Sequence, residues 1–98
     1  MKMILVMTAK NGKTREAIAA LKPGHEYVCS KYGLKGEMYL QVFGGTAGTF
    51  YLITDFQDPA SAQAFQAKLL ADEKYWEYVQ KLAEVTIGPP TIAFLQPF

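Results

Sequence analysis

Met3-Ile4-Leu5-Val6-Met7 is apolar at every position, so a strand built from it shows no polar face. Three further stretches share the property with few interruptions: Met38-Tyr39-Leu40-Gln41-Val42-Phe43, Phe50-Tyr51-Leu52-Ile53 and Ile92-Ala93-Phe94-Leu95. A sheet with helices on one face and water on the other alternates apolar with polar residues. Here alternation is largely missing, so something other than water is expected to cover the second face. Two segments of helical periodicity separate the strands, giving the order β-α-β-β-α-β.

The first helical segment begins near Thr14, expected as its cap, after Asn11-Gly12 breaks the opening strand. Its apolar stripe is Ile18, Leu21, His25, Val28 and Tyr32, at spacings of three and four that persist across Pro23-Gly24. A proline inside a helix removes one hydrogen bond and crowds the preceding turn, so a kink or restart is expected there. Gly33 and Gly36 are expected to end the element in left-handed conformations. Gly44-Gly45-Thr46-Ala47-Gly48 reads as the turn of a hairpin between the second and third strands. A phosphate loop would lead from a strand into a helix and often carry a lysine; this one does neither.

Asp58-Pro59 opens the second helical segment with a carboxylate cap and a proline at the first helical position. The expected buried stripe is Ala62, Phe65 and Leu69, then Trp76, Val79 and Ala83. Asp72 falls between the halves and can cap a restart, placing a bend or break at residues 71–73. Gly88-Pro89-Pro90 ends the helical region before the last strand.

The chain has 98 residues, room for one domain (1–98) and a single core. Half of them are hydrophobic, which argues for a globular chain. Ten basic and nine acidic residues are dispersed along it, without the basic stripe of a nucleic-acid or anionic-membrane partner. One cysteine, Cys29, cannot form an internal disulfide and suits a reducing, cytoplasmic setting. The apolar run at the start is too short for a membrane span or a signal sequence. With one histidine, one cysteine and no clustered carboxylates, no metal site closes within one chain, and no cofactor motif is present.

Four strands about 4.8 Å apart and about 17 Å long present a face of roughly 300 Å² in plan. That rivals the largest apolar patch of a soluble monomer. A second copy packed on it about a two-fold axis removes the exposure without new sequence, so a homodimer is expected.

With this element order and these two-faced strands, the chain resembles the dimeric α/β-barrel superfamily. The stretch from Asp58-Pro59-Ala60-Ser61 to Leu69-Leu70-Ala71-Asp72-Glu73-Lys74-Tyr75-Trp76 is similar to the second helix of its antibiotic-biosynthesis-monooxygenase and NIPSNAP-like members. The resemblance implies an α+β, ferredoxin-like fold whose four-stranded antiparallel sheet pairs face to face with that of a partner. It implies a function among cofactor-free oxygenases, isomerases, peroxidases, haem-degrading enzymes and proteins of unknown role. Haem-degrading members combine an Asn on the first strand with a Trp and a His near the second helix. This chain has no Asn on its first strand and no His after Trp76.

Candidate site residues follow from strand parity and residue chemistry. Met38, Leu40 and Val42 are assigned to the helices, which leaves Tyr39, Gln41 and Phe43 facing a barrel interior. By the same parity Tyr51, Ile53 and Asp55 face inward on the third strand, and Ile92, Phe94 and Gln96 on the fourth. A buried phenol or amide needs a partner, found either across a dimer or on a ligand. Tyr39, Gln41, Tyr51, Trp76 and Gln96 are therefore the expected substrate-binding groups. His25 and Asp55 are the candidate acid/base pair; an Asp55 inside the barrel would have a raised pKa. Each has a structural alternative: His25 as a packed residue, Trp76 as core, Asp55 as a solvated strand end. Cys29 shows no base at readable spacing and reads as a small buried thiol. Two functions remain open. One is a small-molecule protein acting on a flat apolar or aromatic compound, by cofactor-free oxygenation or isomerisation if it is an enzyme. The other is a non-catalytic homodimeric binding or assembly module whose barrel is filled by its own side chains.

Overall fold

The computed structural model of the protein describes all 98 residues. The elements are β1 (Lys2–Thr8), α1 (Thr14–Tyr32), β2 (Gly36–Leu40), β3 (Thr49–Asp55), α2 (Pro59–Leu70), α3 (Glu73–Ala83) and β4 (Thr91–Leu95). The four strands form one antiparallel sheet in the order β2-β3-β1-β4, the ferredoxin-like arrangement. The expected break in the second helical segment is present and divides it into α2 and α3, so the full order is βαββααβ.

Asp58 caps α2 by accepting a 2.8 Å hydrogen bond from the Ser61 backbone, with Pro59 in the first turn. Asp72 caps α3, accepting from Lys74 N at 3.1 Å and Tyr75 N at 3.2 Å. The hairpin glycines Gly44, Gly45 and Gly48 all adopt positive φ, the conformation the turn requires.

Four local expectations need correction. Thr14 is not a cap: α1 starts on Lys13 without any side-chain cap. Nor does Pro23 restart the helix, which runs through it from Thr14 to Tyr32. Gly33 ends α1 in the left-handed conformation, as expected, but Gly36 belongs to β2 and its φ is not positive. The inward side of α3 carries Tyr75, Tyr78, Val79, Leu82 and Ala83, while Trp76 faces outward. The Asp72 restart rotates the second half of the segment enough to turn Trp76 out, while Val79 and Ala83 stay on the expected side.

Register corrects the parity of the last strand. Paired residues in an antiparallel ladder project to the same face. On the helix side lie Met3, Leu5 and Met7, with their β3 partners Thr54, Leu52 and Phe50. Phe94 pairs with Met3 and Ile92 with Leu5, so both belong to the helix side and not to the open face. The open face carries Ile4, Val6, Tyr39, Tyr51 and Ile53, together with Ala93. Gln96 lies beyond β4, exposed. β2 also stops at Leu40, short of the expected Phe43, although Gln41 N still donates to Thr49 O at 2.9 Å.

The core is split. Met7, Ala9, Ala17, Leu21 and Phe50 pack at one end of β1; Met3, Phe56 and Ala62 pack at the other. Only 12 residues are buried, and no large side chain is fully buried. Leu5, Leu52, Val28 and Leu69, between the two clusters, stay half-buried because the helices stand off the middle of the sheet.

Candidate functional site

The gap between the two core clusters is a cavity of about 620 Å³. Its floor is the helix side of β1 and β3, including Met3, Leu5, Leu52 and Thr54. Its roof is built by α1 through Leu21, His25, Val28 and Cys29, and by the helical stripe Phe65, Leu69, Tyr75, Tyr78 and Leu82. Gly88-Pro89-Pro90 form part of the wall. No Lys, Arg, Asp or Glu lines it. Mostly apolar walls with a few polar groups are characteristic of small-molecule sites.

His25 and Cys29 occupy successive turns of α1 and reach the cavity together. The Cys29 Sγ lies 3.6 Å from His25 Nε2. A base therefore does stand beside the thiol, at the i, i+4 spacing that places two side chains on one helix face. Burial pushes the His25 imidazole below its ordinary value, opposed by the nearby Glu26 carboxylate. Burial pushes the Cys29 thiol up, opposed by its hydrogen bond with the Gly36 backbone. The pair is thus a neutral imidazole beside a protonated thiol, suited to accepting or sharing a proton and unsuited to nucleophilic attack. Gly36 is the reason they fit. A Cβ at that position would lie 2.6 Å from His25 Nε2 and 3.0 Å from Cys29 Sγ.

One roof wall is braced by a polar cluster. Asp72 is 7% exposed and accepts from Tyr32 Oη at 2.7 Å, Tyr27 Oη at 2.8 Å and Lys31 Nζ at 3.0 Å. The Tyr32 hydroxyl, aided by Lys31 and Tyr27 against the effect of burial, holds the Asp72 carboxyl far below the usual range. In return, Tyr27 and Asp72 raise the pKa of Lys31. Tyr27 also stacks at 5.5 Å on Tyr78, whose residue lines the cavity. In the sequence Asp72 is legible only as a cap, because its three α1 partners are 40 to 45 residues away and leave no local signal.

The other candidates lie elsewhere. On the open face, Tyr51 Oη donates to Gln41 Oε1 at 2.6 Å, and Gln41 Nε2 donates to Gly44 O at 2.6 Å. Tyr39 Oη donates to Glu37, whose carboxylate raises the phenol pKa. These groups find partners within the same chain, a third solution beside a ligand and a dimer mate. Asp55 is an exposed strand end paired with Lys2 at 2.9 Å. Trp76 is 42% exposed and donates its indole N–H to Leu70 O across the α2–α3 break. Of the seven candidates, His25 alone lines the large cavity, while Tyr39 borders a smaller one of about 250 Å³ with Met38, Leu40 and Phe50.

No family model matches the chain, and no curated protein does. Solved structures match it over nearly its whole length. A NIPSNAP family protein of unknown function from Agrobacterium tumefaciens superposes with TM-score 0.82 at 17% identity, covering 98% of this chain and 86% of that one. The chain has the fold of the NIPSNAP and antibiotic biosynthesis monooxygenase structures. An uncharacterized NIPSNAP domain protein from Burkholderia xenovorans gives TM-score 0.78 at 14% identity, over 100% and 97% of the two chains. SnoaB, a cofactor-independent oxygenase from Streptomyces nogalater solved as a point variant, gives 0.69 at 10%, over 99% and 93%. At these identities the likeness is one of fold, and function has to be argued from the site. No helix is long and apolar enough to cross a membrane.

Proposed function

We propose that this protein binds an uncharged, largely apolar small molecule in the cavity between its sheet and its helices. The cavity itself carries the reading: about 620 Å³, open to solvent on one side, between the sheet and the helices of a small domain, with no charged wall residue. Filling that space with its own side chains would stabilise the fold by roughly 0.8 kcal/mol per buried methylene, so the hollow costs stability. If the protein is an enzyme, the neutral His25 is the group that takes a proton from a bound substrate, and the reaction is a cofactor-free oxygenation or an isomerisation. SnoaB, with the same fold, is a cofactor-independent oxygenase.

The open sheet face is read as the surface of a homodimer. Its polar groups are already paired within the protomer, and Ile4, Val6 and Ile53 lie beside them. The alternative of a pure assembly module uses this face too but leaves the cavity without a role. Thermal-shift screening with uncharged aromatic and alicyclic compounds separates the two. Stabilisation by several of them is expected, and a flat response across compounds that fit the volume would defeat the small-molecule reading.

A further inference from the structure

Three threonines around the core are buried to a similar degree, and two have obvious partners. Thr49 Oγ1 donates to Thr46 O at 2.7 Å, and Thr86 Oγ1 donates to Leu82 O at 3.0 Å. Thr54 is 7% exposed, yet its hydroxyl makes no hydrogen bond to the protein. No wholly enclosed side-chain oxygen is left unpaired in this fold, so the Thr54 hydroxyl must open onto space. The space that Thr54 borders is the large cavity.

Its surroundings are polar on one side. Thr54 pairs in register with Gly36, whose missing Cβ leaves the place where His25 Nε2 and Cys29 Sγ sit. Cross-strand neighbours have Cα atoms about 4.5–5.5 Å apart, so hydroxyl and imidazole flank one corner of the cavity floor. Elsewhere that floor is Met3, Leu5, Met7 and Leu52.

Resting on the cavity reading above, the geometry points to Thr54 and His25 as a hydrogen-bonding seat for the hydroxyl group of an otherwise apolar, uncharged ligand. Thr54 Oγ1 supplies one donor and acceptor sites, and a neutral imidazole supplies one of each. A hydroxyl guest, which both donates and accepts, satisfies the pair. A carboxylate guest would enter a site with no cation to meet it, at a desolvation cost the walls cannot offset. Discrimination is strong where a buried polar group is otherwise left unpaired, because the wrong ligand forfeits the bond and leaves the protein group unsatisfied.

The test compares naphthalene, 2-naphthol and 2-naphthoate by NMR titration of the whole chain. Without a seat, the hydroxyl of 2-naphthol would weaken binding, since it would lose its water. With one, 2-naphthol binds about tenfold more tightly than naphthalene and the carboxylate fails to compete. Thr54→Val keeps the shape and a strand-forming side chain, so it should bring the two neutral probes within about twofold of each other. Thr54→Ser should restore the preference. Naphthalene binding with no preference for 2-naphthol in the wild-type protein overturns the seat and leaves the cavity reading standing. A preference that survives Thr54→Val also overturns it. Failure of both neutral probes to bind overturns the cavity reading and the seat together.

Discussion

The Tyr32 hydroxyl donates a 2.7 Å hydrogen bond to Asp72, joining the last residue of α1 to the cap of α3. Tyr27 and Lys31 reach the same carboxylate, so one buried side chain both starts a helix and ties two helices together. Asp72→Ala removes all of this and leaves two phenols and an ammonium without their acceptor. A fall in Tm of about 5–10 °C is expected by differential scanning calorimetry. Acid dependence follows from the sign of the shift. The folded carboxyl sits below its ordinary 3.8, so its stabilisation is complete above that pH and is lost as pH falls towards the folded value. Asp72→Asn should flatten the stability curve in that acid range, and an unchanged curve would remove Asp72 from the account.

Gly36 is needed for close approach and not for a left-handed turn. In Gly36→Ala the new methyl would meet the His25 ring at 2.6 Å and the Cys29 sulfur at 3.0 Å. The ring end can swing away, and the direction open to it is the cavity. The expected cost is about 1–3 kcal/mol, with weaker ligand binding as a consequence. His25 also sets a pH signature. Its folded value is lowered below the ordinary 6.5, so stability falls as pH drops from about 6.5 towards the folded value. Histidine NMR titration should show a midpoint below 6.5 in the native protein; a midpoint above it would contradict the burial argument.

How much was legible depended on the range of the interaction. Asp58-Pro59, Gly33 and the glycine hairpin are local signals, and each formed the expected structure. Two-faced strands implied the four-stranded sheet. Facing was less legible, because parity on the last strand needs a register that strands of mixed composition do not declare. Strand parity alone puts Ile92 and Phe94 on the open face, but pairing with Leu5 and Met3 turns them to the helix side, where they remain 46% exposed. The cavity was invisible for a related reason. A stripe of Leu, Val and Tyr looks the same whether its neighbours touch it or stand off. Thr54 and Gly36 carry the polar corner, and neither is distinguishable in the sequence from an ordinary strand residue or a helix stop.

The open face provides a test of assembly. Ile53 lies at its centre, paired with Ile4 on β1 and Glu37 on β2. If two such faces pack together, Ile53→Glu buries a second carboxylate beside Glu37 on each side of the two-fold axis, with no free cation to pair it, at a cost of several kcal/mol. Sedimentation velocity should show a dimer for the wild-type chain and a monomer for this variant at micromolar concentration. A wild-type monomer at that concentration would remove the homodimer reading altogether.

A hollow that serves a ligand differs from one that is merely loose in what happens when it is filled. Val28 projects from α1 into the cavity, and Val28→Phe adds apolar volume where the walls leave about 620 Å³. In a tightly packed core this change would overpack and cost about 1–3 kcal/mol. Here the ring can enter free space and meet Leu52 and Leu69 on the facing walls. Added burial at roughly 25 cal/mol per Å² should hold or raise stability, by up to about 1 kcal/mol. The same ring occupies the room a ligand needs, so affinity for naphthalene should drop by at least about tenfold. Stability and binding thus move in opposite directions, which neither a general destabilisation nor a surface effect produces. Chemical denaturation and NMR titration of the same sample read both. A destabilised variant that still binds normally would show that the ligand sits somewhere other than between the sheet and the helices.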